Sequence, residues 1–248
     1  GEQLMADLPV SRLEPGNNPF RVTGSDVFGP FYVRQGRSTV KRWICLYSCH
    51  ASRAIHMEVL HKLDISSFIG AFRRFSARRG RVDKLVLDNA TNHHGSCREL
   101  REEIEKWNKS QLGQEFQQRG VDFQFNCPKA SHWGGVFERM IRSAREHLRH
   151  IIDLRTLSDE DLLTLVAKAE FMVNCRPLTA VTDDIDDLLA LCPNDILMVE
   201  PMPSLPPGCF DPDQVHFRQS WKHVQSLANG FWRRWTREYL PLLAQRSK

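Results

Sequence analysis

A change of apolar period near residue 60 constrains this chain more than any other feature. Before it, the text is strand-like: residues 20–33 are rich in Val, Phe and Tyr, Arg34-Gln35-Gly36-Arg37 supplies a turn, and residues 40–48 return as a second apolar run. Residues 53–60 then alternate, with Ile55, Met57 and Val59 set against His56 and Glu58, the period-two pattern of a half-buried strand. Three such runs joined by short turns predict an antiparallel meander. After it, Asp64 stands where a helix cap is wanted, and Ile65, Phe68, Ile69, Phe72 and Phe75 recur at helical spacing. Arg73, Arg74, Arg78 and Arg79 fall off that apolar face, and Gly80 ends the helix.

The rest of the chain continues the alternation. Residues 82–87 read as a short buried strand ending at Asp88, residues 98–118 as a helix interrupted near Gly113, and residues 121–125 as a fifth strand closed by Cys127-Pro128. A helix is expected over residues 133–152, and Ser158 with Asp161 forms the capping box of another that ends before Pro177. Three strands, helix, strand, helix, strand and further helices predict an α/β fold built on a mixed five-stranded sheet flanked by helices. No internal repeat is visible.

With 248 residues, 41% of them hydrophobic and 26% charged, the chain can bury one sizeable core and is not globally disordered. No apolar run approaches the roughly 20 residues that span a bilayer, and Gly1-Glu2-Gln3 does not open a secretion signal, so a soluble intracellular protein with no membrane partner is expected. Seven cysteines without a C-x-x-C pair read as reduced thiols, and Cys45 and Cys49 as packing residues on one strand face. The net charge of +4 is unevenly spread: residues 177–217 hold eight acids and no Lys or Arg, while residues 218–248 hold seven bases against Glu238 alone. Residues 1–19, with Pro9, Pro15 and Pro19, read as an extended lead-in, residues 20–178 as the core domain, residues 179–216 as an acidic, Pro-rich, irregular connector, and residues 217–248 as a basic aromatic helical segment. In that segment Phe217, Trp221, Val224, Leu227, Phe231, Trp232 and Trp235 form a stripe expected to dock on the chain's own core.

Phosphoryl transfer by two metal ions needs carboxylates from separate segments that converge on one point, because hard divalent cations take oxygen ligands and must keep open sites. Asp26 in the first strand, Asp88 at the end of the fourth and Glu138 early in the helix near Trp133 meet that description. The words around them, Gly24-Ser25-Asp26-Val27-Phe28-Gly29-Pro30, Leu87-Asp88-Asn89-Ala90-Thr91-Asn92 and Ser131-His132-Trp133-Gly134-Gly135-Val136-Phe137-Glu138-Arg139, resemble in this order the three active-site blocks of retroelement integrases. More narrowly the chain resembles integrases of Bel/Pao-type LTR retrotransposons, through Val40-Lys41-Arg42-Trp43, Arg73-Arg74-Phe75-Ser76-Ala77-Arg78-Arg79-Gly80, Cys175-Arg176-Pro177-Leu178-Thr179 and residues 224–235.

The resemblance implies an RNase H-like catalytic core over residues 20–178, with Asp26, Asp88 and Glu138 holding two Mg²⁺ or Mn²⁺. It implies a polynucleotidyl transferase with endonuclease activity that trims 3′ ends of element DNA and joins them to target DNA, acting in the nucleus as a homo-oligomer. Three departures stand beside it. The interval from Asp88 to Glu138 is longer than in retroviral integrases, though usual in the Bel/Pao group. Ala90 and His93 replace a Gly and a Phe; if that Gly needs a positive φ, Ala90 costs about 1 kcal/mol. No His-His-Cys-Cys module precedes residue 8, so the chain is a trimmed form or a remnant, and no zinc is expected in it; His93, His94 and Cys97 lack a fourth ligand nearby.

For DNA contact, Arg142, Arg145 and Arg149 recur on one side of the helix bearing Glu138, opposite Met140, Ile141, Ala144 and Leu148, and Arg233 and Arg234 among the C-terminal tryptophans form a second patch. Asn89 and Asn92 are expected to brace the Asp88 loop, and Gly134-Gly135 to loosen the loop before Glu138. A catalytically decayed or domesticated DNA-binding scaffold, and an RNase H-like nuclease, are the alternative readings.

Overall fold

The computed structural model describes residues 18–87, 102–104, 106–125, 144–149, 151–152, 157–179, 190–198 and 220–239. Two compact units divide the chain: Gly1–Phe28 with Ile44–Arg139, and Gly29–Trp43 with Met140–Lys248. The strands are β1 (Val22–Gln35), β2 (Ser38–Cys49), β3 (Ile55–Leu60), β4 (Lys84–Leu87), β5 (Asp122–Phe125) and β6 (Leu157–Ser158). They form one mixed sheet in the order β3-β2-β1-β4-β5, with β6 paired to β1. Short connections make β1, β2 and β3 an antiparallel meander, since parallel neighbours need a crossover of a dozen residues or more. β4 lies parallel to β1, and β5 parallel to β4. This is the mixed α/β sheet flanked by helices that the sequence predicts. The two-residue β6 is a sixth strand that the apolar pattern did not announce.

In the first unit, helix α1 (Ile65–Arg79) makes the crossover that delivers β4 to the side of β1. Its ends are chemically marked: the Asp64 carboxylate accepts from the Ser67 N–H at 2.7 Å, and Gly80, at φ +91°, donates its N–H to the Ser76 carbonyl. Phe68, Ala71, Phe72 and Phe75 are buried, with Ile65 and Ile69 half-buried beside them. The Phe75 ring stacks on Tyr47 of β2 at 4.2 Å and meets Phe20 edge-on at 5.2 Å. Phe72 meets Phe116 edge-on at 4.7 Å, and Phe116 belongs to helix α2 (Lys109–Gln117). Such pairs are each worth about 0.5–1.5 kcal/mol beyond their buried area.

Two expectations are corrected here. The helical interruption lies at Asn108, whose side chain accepts from Ser110 and Gln111 N–H and starts α2, while Gly113 sits inside that helix. And β3 is buried along its whole length rather than on one face. Glu58 tolerates burial because α1 covers it with cations: Arg74 Nε donates at 2.6 Å, Arg78 Nη1 at 2.5 Å, and His56 Nε2 lies 3.1 Å away. The arginines that fall off the apolar face of α1 thus complete the contact that the apolar face begins. Cys45 and Cys49 of β2 are buried and free, as expected; burial pushes the Cys45 thiol well above its ordinary range. Cys49 also accepts from Phe20 N–H and Ser52 N–H, closing the turn into β3.

In the second unit, β6 pairs with the end of β1 through Val33↔Leu157 and Arg34↔Ser158. Ser158 opens helix α3 (Asp159–Asn174) with the expected Ser158–Asp161 capping box. Arg42, nearly buried, grips Asp159 with both arms of its guanidinium, at 2.6 and 2.8 Å. A short helix α4 (Pro193–Leu197) stands within the connector expected to be largely irregular; Asp195 accepts from the Cys192 N–H at 2.7 Å, and Asn194 donates to the Phe171 carbonyl of α3. Helix α5 (Ser220–Arg234) packs on α3 and buries Val224, Leu227, Ala228 and Phe231, with Trp235 following in a π-helical turn (Trp235–Tyr239). The docked stripe is narrower than expected, since Trp221 is 59% exposed and Trp232 half-buried. Among the described residues no helix is long and apolar enough to cross a membrane.

Burial raises the proton affinity of the Glu58 carboxyl, but the bonds from His56 and Arg74 outweigh it and leave the group below its ordinary value. On acidification the unfolded chain therefore takes up this proton first, so Glu58 stabilises the fold above the ordinary carboxylate range and loses that contribution as pH falls through the lower folded value. Glu58→Gln is expected to cost about 1–3 kcal/mol at neutral pH, with both arginines free to reach water, and to flatten the acid limb of urea-unfolding stability. Asp159→Ala, which leaves the Arg42 guanidinium largely buried, is expected to cost about 2–3 kcal/mol in the same assay. A loss below about 0.5 kcal/mol would mean that water replaces the carboxylate without penalty.

Candidate functional site

The parallel ladder between β1 and β4 runs Val22↔Lys84, Thr23↔Leu85, Gly24↔Val86 and Ser25↔Leu87. Successive residues of β1 point to opposite faces, so Thr23 and Ser25 share one face and Gly24 and Asp26 the other. A Cβ at Gly24 would lie 3.0 Å from Ser48 Oγ and 3.6 Å from His50 Nε2. Gly24, Ser48 and His50 are therefore neighbours on the face to which Asp26 also belongs, and Ser48 Oγ donates to the Gly24 carbonyl at 3.3 Å. Asp26 is 6% exposed. On the opposite face, the buried Ser25 hydroxyl has no hydrogen-bond partner among the described residues.

The other expected site residues divide sharply. Asp88, Asn89, Asn92, Gly134, Gly135, Glu138 and Arg142 lie outside the described residues, as do His93, His94 and Cys97. Among the described residues no three His, Cys, Asp or Glu side chains gather in a way that could hold a metal ion. Arg145 and Arg149 occupy the helical stretch 144–149, half-buried, with Ala144 and Leu148 buried beside them. Arg233 is exposed, its Nε on the Asn229 carbonyl at 3.4 Å. Arg234 is half-buried and turned toward Glu238, at 3.2 and 3.4 Å, a carboxylate that Arg237 also contacts at 3.3 Å. Those hydrogen bonds, Arg234's first, hold the Glu238 carboxyl below its usual range. A phosphate reaching Arg234 would have to displace that carboxylate.

Sequence reading missed His50, whose place beside Gly24 follows only from the β1–β2 register. It missed the neighbourhood of His147 as well, where the imidazole lies edge-on to Phe231 and Trp235, at 6.1 and 6.0 Å, with Nδ1 3.8 Å from Glu238. No local signal marks either histidine. Lys168 of α3 donates to Gln225 of α5, and burial lowers its proton affinity.

Among protein families, residues 219–248 match the model of a family of unknown function, DUF5641. No curated protein matches the chain. Among solved structures, the chain is similar to one in the cryo-electron microscopy structure of the simian T-cell lymphotropic virus intasome in complex with the PP2A regulatory subunit B56 gamma. The identity is 12% and the TM-score 0.46, over 81% of this chain and 62% of that one. The present chain thus spans 62% of the length of that relative.

The fit around Gly24 makes a local test. Gly24→Ala is expected to destabilise the chain by about 1 kcal/mol as the methyl meets the Ser48 hydroxyl, and Ser48→Ala in the same chain should recover most of the loss. Strict additivity of the two changes would show that they do not meet.

Proposed function

We propose that this chain carries the catalytic core of an integrase-type polynucleotidyl transferase, from an element of the Bel/Pao type. One observation carries the reading. The last pair of the β1–β4 ladder, Ser25 and Leu87, are the residues that immediately precede Asp26 and Asp88 in the chain. Two of the three acids that the resemblance singles out thus follow directly on paired positions of adjacent parallel strands. Of the two, Asp88 directly follows the last residue of β4 in the chain, and the carboxyl ends of parallel strands are where α/β sheets present reactive groups.

In this reading Asp26, Asp88 and Glu138 supply hard carboxylate oxygens, a donor set suited to Mg²⁺ or Mn²⁺ and not to soft metals. Two such ions, when bound, would activate the attacking oxygen and stabilise the leaving one at a DNA phosphodiester. The chain's own part is positional: the β1 backbone sets Asp26, and the near-closure of that carboxylate from water strengthens its hold on a cation. Arg142, Arg145 and Arg149, which follow Glu138 at helical spacing in the sequence, would follow the phosphates leading to the acids. The reaction is trimming of the element's DNA ends followed by joining to target DNA, within a homo-oligomer in the nucleus.

Asp26→Asn and Asp88→Asn test this without knowledge of the element's terminal sequence, on a branched DNA that mimics the joined product. With Mg²⁺, the unsubstituted chain should resolve the branch, and each variant should lose at least about a hundredfold in rate. Thermal unfolding and duplex affinity should stay unchanged in both. Activity equal to the parent in either variant, or a parent that binds the branched DNA and does not resolve it, would overturn the assignment, the latter in favour of a DNA-binding scaffold.

A further inference from the structure

The hairpin that joins β1 to β2 belongs to the second unit and carries a surface that its packing does not use. β1 ends at Gln35 and β2 begins at Ser38, so the turn is the two residues Gly36 and Arg37, with Gly36 at φ +61° in the position that a type II′ hairpin turn gives to glycine. A two-residue turn fixes the pairing of the arms: Arg34 faces Thr39, Val33 faces Val40, and Tyr32 faces Lys41. Side chains alternate along each arm, which sorts them into two faces. Phe31, Val33 and Arg42 share one face and are all buried, and Arg42 there holds Asp159 at the start of α3. Tyr32, Arg34, Thr39 and Lys41 share the other.

That second face is open and of one sign. Tyr32 is 51% exposed, Arg34 and Thr39 are exposed, Lys41 is half-buried, and Arg37 is exposed at the tip. Residues 29–43 carry Arg34, Arg37, Lys41 and Arg42 and no Asp or Glu. Asp159 neutralises Arg42; Arg34 Nε donates to the Gly36 carbonyl at 3.1 Å, and among the described residues neither Arg34 nor Arg37 has a carboxylate partner. Charge alone would suit any polyanion, but the ring narrows the choice. An acidic peptide or a bare phosphate satisfies the cations and leaves the phenol face in water, whereas a nucleic-acid strand brings a planar base to the ring and phosphates to the cations beside it. Arg34 lies one same-face step from Tyr32, about 7 Å, and Lys41 about 5 Å across from it, so ring and cations can meet adjoining parts of one strand. In an intact duplex the base faces are stacked on one another and out of reach, so an unpaired strand is the form that satisfies all of these groups.

We propose that the open face of the β1–β2 hairpin binds an unpaired DNA strand, with a base stacked on Tyr32 and the flanking phosphates held by Arg34, Arg37 and Lys41. The inference deepens the transferase reading, for which it names a contact to strand that has left the duplex, and it rests on that reading for the choice of DNA over RNA. Stacking tolerates any base, because every base has a π-face, so the contact would hold a strand without reading its sequence.

The experiment is fluorescence anisotropy on the full chain, without divalent metal, with a fluorescein-labelled oligothymidylate of about 10 nucleotides. An abasic strand of the same length, a blunt duplex, an oligouridylate and polyglutamate of matched charge are measured beside it. Tyr32→Ala should weaken the oligothymidylate about fivefold or more, keep the abasic strand and the duplex within about twofold, and leave thermal unfolding unchanged. Tyr32→Phe, which keeps the ring, should bind like the parent, and Tyr32→Leu, which keeps bulk without a π-face, should bind like Tyr32→Ala; this pair decides the matter should Tyr32→Ala fail to fold. Arg34→Ala with Arg37→Ala should weaken the thymidylate and abasic strands alike and lower the salt slope by about one. Indifference of the oligothymidylate to loss of the ring, an equal loss on the abasic strand or the duplex, or an unchanged salt slope would overturn the proposal. So would polyglutamate bound as tightly as the oligothymidylate, or oligouridylate bound more tightly. Strand binding lost as predicted nowhere, with branch resolution intact, sinks this proposal alone; failed branch resolution with Tyr32-dependent strand binding sinks the transferase reading alone.

Discussion

The docking of α1 is the contact on which the first unit depends. A parallel strand cannot follow its neighbour through a tight turn; the chain must cross over a face of the sheet and return. α1 is that crossover, and its grip has two parts that differ in kind. Phe68, Phe72 and Phe75 remove apolar area from water and fix the ring contacts with Tyr47, Phe20 and Phe116, a large but weakly directional term. Arg74 and Arg78 on Glu58 add a directional one. A slide of the helix by one turn would leave apolar contacts available but would strand a nearly buried carboxylate, which is expensive. The ionic contact thus selects one docking among several that the aromatic face would accept, and with it the register that brings β4 beside β1.

That register is also what makes Asp26 interesting. Thr23, Ser25 and Asp26 are all nearly inaccessible on a central strand, and polar groups in such positions normally weaken a core. A strand selected only for packing would carry Val or Ile there. Gly24 points the same way: it yields the space that Ser48 and His50 occupy, so the polar face around Asp26 is built from two strands. Thr23 meets that cost locally, its hydroxyl donating to the Phe20 carbonyl at 2.7 Å, while the Ser25 hydroxyl has no partner among the described residues.

The sequence was legible where the physics is local. Asp64, Gly80 and the Ser158–Asp161 box act within one helical turn, and they stand where their caps require. The meander and the position of Asp26 in its first strand follow from period and turn length alone. What depended on distant partners was not legible. His56 and Glu58 alternate with apolar residues as solvent-facing ones do, and only the arrival of α1, sixteen positions later at Arg74, makes them interior. Gly113 carries the residue type of a break, yet Asn108 supplies a cap and wins, since a helical glycine costs only about 1 kcal/mol. β6 is two residues long and has no period to read. Pro193 suggested irregular chain, but proline is at home in a first helical turn. For the site, residue types and their order could be read, whereas whether Asp88 and Glu138 converge on Asp26 is a matter of distance that spacing does not encode.

The second unit shows how the basic C-terminal segment can be both a packing element and a charged one. α5 buries Val224, Leu227, Ala228 and Phe231 against its own unit, so its net charge has to be carried on what remains. There Glu238, the lone acid of the last thirty-one residues, draws on Arg234 and Arg237 at once, and His147 comes within 3.8 Å of the same carboxylate. One anion so placed restrains two cations that would otherwise repel each other at the end of a helix, where positive charge already complements the dipole. The consequence is a division of labour along α5: Arg234 and Arg237 are engaged in holding the helix end together, while Arg233, one position from Arg234 and on another side of the helix, keeps its charge toward solvent. Among the described arginines of this segment, Arg233 is therefore reached without competing with Glu238, and Arg234 and Arg237 only by competing with it.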